Sequence, residues 1–182
     1  MPSLSFKSSV SVTHITTATT ILSIDDVNFL IDPTFDKKGD FEQQGGFVLT
    51  KTDDPALGLE DLPVIHAVLL SHEDHIDNLD TSDRTMLNGR HQFKITGTPT
   101  QHLPGGECTG FVLESPSLGV NEADGLPNLT RDIDAEKMVP LHFESWKHFT
   151  ESGDDVRAEL AADAAVKDKV VWVVPGEKTT VV

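Results

Sequence analysis

Residues 64–70, VIHAVLL, form a near-continuous apolar run that passes without a break into SHEDHIDNLD. A run this short and this apolar reads as a strand buried on both faces, which requires covering layers on either side and points to an α/β fold. Its C-terminal end delivers His72, Asp74, His75 and Asp77, all of them ionisable, within six residues. Imidazole nitrogens and carboxylate oxygens are the donors that hold zinc and similar ions, commonly from short loops after strands.

Two later histidines have comparable settings. His102 lies between two predicted strands, and His142 follows the MVPLH segment, itself predicted as a strand. Three strand ends that each offer a histidine make a stronger metal argument than any one alone. A lone histidine near a strand end is more often a hydrogen-bonded structural residue, the reading applied to His14, His66, His91 and His148. Asp77 and Asp80 read as helix-start or surface acids rather than ligands, while Glu73, Asp77 and His148 are candidates, by proximity alone, to move protons.

The chain before this point is strand-like. Val10–Thr13 alternates, Thr19–Ile24 is β-branched, and Val27–Ile31 is a short apolar run, with Asp25-Asp26 as the turn between the last two. Asp32-Pro33 stops that strand, because proline has no amide donor. Residues 34–62, rich in Gly, Pro and acids, read as a long loop. Residues 34–58 are the expected substrate loop, with Phe35, Phe41 and Phe47 either its apolar contacts or, equally, ordinary packing. Ser71 is placed to cap a short helix toward Leu87. Strands are expected at His91–Thr96, Thr109–Glu114, Met138–Phe143 and Val170–Val174, with TGTPTQHLPGGE a loop and Thr150–Val166 a helix. No repeat or linker divides the chain, so one domain is expected over residues 1–182.

Charge narrows the partners. The 182 residues carry a formal net charge of −16, which repels phosphate backbones and anionic lipid surfaces. Nucleic acid and membranes are therefore not expected partners; a small-molecule substrate is. Cys108 is the sole cysteine, which excludes an intrachain disulfide and any Cys-rich zinc cluster. With no apolar stretch of signal-peptide or membrane-spanning type, the expected location is cytoplasmic.

At this point VLLSHEDHIDNLD resembles the HxHxDH segment of metallo-β-lactamase-fold hydrolases. The likeness extends to LIDP, to TGTPTQHLPGGECTGFVLE and to MVPLHFESWKHF, in the family's order. It implies an αββα sandwich with a metal site at one edge of two sheets. It also implies metal ligands among His72, Asp74, His75, His102 and His142, with Asp32 orienting a ligand imidazole. The cofactor implied is Zn2+, or another divalent transition metal such as Mn2+ or Fe2+. The activity implied is hydrolysis of a small ester, lactone, thioester, amide or phosphodiester by a metal-bound hydroxide, with Asp74 and His75 as catalytic residues.

The chain departs from the family in three ways. Its segment is HxDHxD, so either Asp74 replaces the second histidine or Asp74-His75 match the family's DH pair. No strand ending in Gly-Asp lies between the His102 and His142 motifs, so no aspartate matches the one that bridges two metals, and one ion is expected. The stretch from Leu79 to Phe93 is short, so the sandwich is reduced by two internal blocks, and the surface this uncovers favours a homo-oligomer. The alternative reading is a non-catalytic or weakly active descendant of the fold that serves as a binding or interaction protein.

Overall fold

The structure is a computed structural model that describes residues 8–42, 46–71, 76–77, 79, 96–101, 107–112, 135–149 and 152–182, with backbone alone at 96–101 and 107–112. Its main element is a five-stranded mixed sheet. Three strands run in succession, β1 (Val10–Thr16), β2 (Thr19–Ile24) and β3 (Val27–Ile31), and pair antiparallel. Their β-branched content suits a pleated, covered surface. A β4–β5 hairpin follows (Gly39–Glu42, Val48–Lys51), then a 3-10 turn at Leu59–Asp61. Strand β6 (Ala67–Leu69) then returns to lie parallel beside β3. Strands β7 (Thr96–Gln101) and β8 (Glu107–Val112) form a separate hairpin. Helix α1 spans Gly153–Ala162, and β9 (Lys178–Thr180) pairs with β1, so the sheet order is β6-β3-β2-β1-β9.

The β2–β3 turn falls where Asp25-Asp26 places it. Asp25 has φ 51°, a left-handed value that a short polar side chain tolerates. Its amide donates to the Ser9 carbonyl, and its carboxylate accepts from the Ser9 amide, both at 2.9 Å. Ser11 to Thr16 of β1 are buried without interruption, as expected of a strand covered on both faces. Ile15, Ile21 and Leu30 form the core under the sheet, packed by Phe35, Leu57, Leu62, Ile65 and Val68 from the β3–β6 crossover. A second cluster joins Met138, Leu160 and Val166, which seats α1 against the 138–170 bridge. Among the described residues, no helix is long and apolar enough to cross a membrane.

Several expectations from sequence are corrected. The 34–62 segment is not structureless: β4–β5 lies inside it, its alternation masked by the acids and glycines around it. Phe41 packs on Trp146 with ring centroids 5.8 Å apart and Phe35 joins the core, so of the three phenylalanines only Phe47 is exposed. The predicted TGTPTQ loop is strand β7. Among the described residues β7 pairs with β8 alone, an edge setting in which the missing donor of Pro99 is tolerated. Met138–Phe143 is not a strand. Met138 makes one parallel bridge to Val170, after which Pro140 offers no donor and His142 turns to φ 64°. Val170–Val174 likewise reduces to that bridge. The helix is shorter than predicted, ending at Ala162 rather than Val166; it starts where Ser152 caps it, the Ser152 hydroxyl accepting from the Asp155 amide at 3.2 Å and the Asp155 carboxylate accepting from the Ser152 amide at 3.0 Å. The predicted 71–87 helix and most of the 91–96 strand lie outside the described residues.

Ile21 sits at the centre of the core at 2% exposure. Ile21→Ala should lower the unfolding free energy by about 2–5 kcal/mol, the usual cost of truncating a fully buried aliphatic side chain. Urea denaturation measures it, and a loss below 1 kcal/mol would mean that the sheet does not pack as described.

Candidate active site

Asp32 stands where β3 ends, with φ 41° and only 5% exposure. Its amide donates to the Leu69 carbonyl at 2.9 Å, extending the β3–β6 ladder by one bond. Its carboxylate accepts from the Ser71 amide at 2.7 Å and from the Ser71 hydroxyl at 2.8 Å. Charge-assisted bonds of this length are the strong kind. Asp32 thereby clamps the residue that immediately precedes His72. The helix that Ser71 was expected to cap lies outside the described residues; the Ser71 hydroxyl donates to this clamp. The Asp32 carbonyl accepts from the Thr19 hydroxyl at 2.7 Å, and that hydroxyl also accepts from the Thr34 amide at 3.0 Å, which holds the chain as it leaves the sheet.

The second anchor is Thr17, in the β1–β2 turn. A β-branched residue at φ 43° is a genuine outlier, costing about 1–2 kcal/mol. Its carbonyl accepts the His142 amide at 3.1 Å and the His14 ring at 3.0 Å, and its hydroxyl accepts the buried Trp146 indole N–H at 2.9 Å. Three such bonds at about 0.5–1.5 kcal/mol each offset the strain. Strand β5 completes the attachment: the Lys147 amide donates to the Thr50 carbonyl at 3.0 Å, and the Thr52 amide to the Ser145 carbonyl at 2.8 Å. The 141–149 loop is thus docked on the sheet without being a strand.

This docking brings His142 to Asp77. His142 Nε2 lies 3.2 Å from Asp77 Oδ2, and His148 Nε2 lies 3.9 Å from the same oxygen. Asp77 is 4% exposed, whereas both imidazoles are about one-third exposed. Phe149 meets the His142 ring edge-on at 5.4 Å and lies 4.5 Å from the His148 ring, fixing the orientation of both. The result is a buried carboxylate roofed by two imidazoles that reach solvent. Burying a carboxylate is costly unless it is hydrogen-bonded or paired, which both explains and constrains the cluster.

Sequence reasoning offers Asp77 and His148 as groups able to move protons but places neither as a ligand. Asp77 was expected at a helix start or on the surface. It is buried, as is Leu79 beside it, and no local signal marked the acid for burial. His148, expected to be merely structural, lies beside the same carboxylate. His14 and His66 do behave structurally: His14 bonds the Thr17 carbonyl, and His66 Nδ1 accepts the Asn28 amide at 3.0 Å. His72, Asp74, His75 and His102 lie outside the described residues, as does His91. Among the described residues, no three His, Cys, Asp or Glu side chains are arranged to hold a metal ion. Asp77 and His142 supply one carboxylate and one imidazole at hydrogen-bond distance, and their donor chemistry fits a zinc-type ion.

Replacing Thr17 with valine keeps the shape but leaves the buried Trp146 N–H without its acceptor. Thr17→Val should cost about 1–3 kcal/mol in urea unfolding and shift tryptophan emission, whereas an unchanged midpoint would show that the anchor is dispensable. His14 gives a pH signature. Burial holds its pKa below the ordinary 6.5, outweighing the Thr17 carbonyl and the Glu144 charge, which both pull upward. The unfolded chain therefore takes up that proton first, so stability should fall as pH drops below 6.5. His14→Gln should flatten that slope; an identical slope in the variant would contradict it.

No family model and no curated protein matches the chain in sequence. Among solved structures, the crystal structure of isothiocyanate hydrolase from Delia radicum gut bacteria is similar, with a TM-score of 0.66 and 17% identity over 93% of this chain and 98% of that one. That protein is a hydrolase of the metallo-β-lactamase-like family, and at this identity the likeness shows that the two chains share a fold.

Proposed function

We propose that this chain is a metal-dependent hydrolase of small electrophiles, built on a reduced αββα sandwich. The observation that carries the reading is the meeting of Asp77 with His142, from segments 65 residues apart, over a buried carboxylate oxygen. The Asp32–Ser71 clamp supports it, since it holds the chain at the entrance to the HEDH segment. The shared fold with a hydrolase supports it independently.

In this reading His142 and Asp77 contribute donors to one divalent ion, together with His72, His102 and either Asp74 or His75. Such an ion, when bound, supplies Lewis acidity and makes water a nucleophile near neutral pH. Asp77 contributes fixed negative charge from a site that water barely reaches. His148, close to that carboxylate and open to solvent, is placed to accept or return a proton at Nε2. Phe149 holds both imidazoles in orientation and limits water on one side of them. Substrates are esters, lactones, thioesters, amides or phosphodiesters, to which the neighbour's name adds isothiocyanates, whose central carbon is similarly open to attack.

Purified protein should contain about one equivalent of divalent transition metal and hydrolyse at least one member of this panel. Asp77→Asn keeps the shape and removes the charge, and should weaken metal binding by about 10–100-fold. Elemental analysis and competition with a chromogenic chelator measure this. Unchanged metal affinity in Asp77→Asn would sink the ligand assignment. Bound metal without turnover on any substrate would favour the non-catalytic descendant, for which the missing bridging aspartate already speaks.

A further inference from the structure

Thr17 at φ 43°, His142 at 64° and Ser145 at 79° bring three left-handed residues other than glycine to one junction. Such conformations persist only where surrounding contacts hold them, and they concentrate at ligand clamps and switch regions. Here the holding contacts can be named. The Thr17 carbonyl accepts the His142 amide at 3.1 Å, and its hydroxyl accepts the Trp146 indole N–H at 2.9 Å. The His14 ring bonds the same carbonyl from the hairpin side and keeps that oxygen in place. Strand β5 holds the loop at Ser145 and Lys147, whereas Thr17 holds it at His142 and Trp146.

Thr17 is therefore common to two side chains with different tasks. His142 Nε2 stands 3.2 Å from Asp77 Oδ2 and belongs to the candidate metal site. Trp146 is 5% exposed, packs on Phe41 and stands 5.9 Å from the His148 ring. Its indole N–H only donates, so Trp146 cannot itself be a ligand. An ion held by His142 at φ 64° favours the docked loop over conformations in which that backbone relaxes. The docked loop is also the one that bonds Thr17 through both residues. By linkage, whatever favours docking tightens the ion, and the ion favours docking by the same factor. A histidine within a strand would show no such link, because ladder bonds would hold it with or without the ion. Among the described residues, the ladder contact of the 141–149 loop is the isolated Lys51–Trp146 bridge alone.

We propose that Thr17 is a positioning residue for the candidate metal site, through which metal binding at His142 and docking of the 141–149 loop form one equilibrium that reaches Trp146. The proposal rests on the hydrolase reading, since it takes His142 as a ligand. It adds that the site is completed by a strained loop, which the ion helps to close.

The test is zinc binding to the full chain stripped of metal, in a Trp172→Phe background that leaves Trp146 as the sole tryptophan. Competition with a chromogenic chelator gives affinity, while Trp146 emission and hydrogen exchange of its indole N–H report docking. Zinc should change the emission saturably and slow exchange of the indole and the His142 amide by roughly fivefold or more, the ordinary range of such coupling. Thr17→Val keeps the shape and the carbonyl but loses the hydroxyl. It should weaken zinc by roughly fivefold and leave Trp146 unresponsive to the ion. Thr17→Ser keeps both acceptors and should restore affinity and response. His142→Ala should abolish the response. A purely structural Thr17 would lower the melting temperature in Thr17→Val yet leave zinc affinity and response at wild-type values, which would overturn the proposal. Circular dichroism verifies folding; if Thr17→Val does not fold, the wild-type titration still decides, because zinc bound with Trp146 emission and exchange unchanged would overturn it equally. Absence of zinc binding to folded wild-type protein would remove the metal reading and this proposal together. Zinc binding that Asp77→Asn weakens, with Thr17→Val and Trp146 both silent, would remove this proposal alone.

Discussion

Thr17 holds the molecule's two halves together. Its turn joins β1 to β2, and its carbonyl and hydroxyl bond both the hairpin, through the His14 ring, and the loop near position 145, through the His142 amide and the Trp146 indole. A threonine at φ 43° would ordinarily relax toward extended backbone. It stays because three hydrogen bonds, one of them from a buried indole, exceed the cost of the strain. Without this anchor the 141–149 loop would lose its direct backbone attachment to the β1–β2 turn, the one that fixes the His142 amide.

A loop docked in this way behaves differently from a strand. A strand's side chains follow a period of two and are positioned by ladder bonds on either side. His142 and Ser145 both have left-handed φ, 64° and 79°, so the backbone between them reverses twice within a few residues. The reversals present His142 toward Asp77, while Phe143, Glu144 and Ser145 line a pocket beside His14 and Trp146. One short segment thus serves two surfaces. The buried Lys51, whose ammonium donates to the Asp36 carbonyl at 2.8 Å, lies in the β5 stretch that bridges to Trp146 and stiffens the same junction.

Asp32 plays the corresponding part on the other side. Its carboxylate replaces solvent for the Ser71 amide and hydroxyl, so the chain leaving β6 emerges in a set direction. A buried carboxylate that receives two short hydrogen bonds is a rigid element, because losing either would leave charge uncompensated in a region water does not reach. Asp32 and Thr17 are each linked to the 19–34 network or to the hairpin beside it, so both anchors belong to the first three strands.

Those first strands were legible from local pattern alone. Thr19–Ile24 and Val27–Ile31 appear in the structure with the bounds that β-branched content and the Asp25-Asp26 turn imply, because hairpin pairing is local and its signals lie within a few residues. The strand leading to the HEDH segment was legible too, although it shortens to Ala67–Leu69. Burial of Asp77, departure of His142 from any strand, and the strand inside TGTPTQ were decided only by tertiary structure. An acid's burial depends on which imidazoles reach it from distant segments, and a left-handed histidine depends on a carbonyl 125 positions away in the chain, at Thr17. Local residue preferences carry no information about such partners, since each bond exists only after the segments between them have folded.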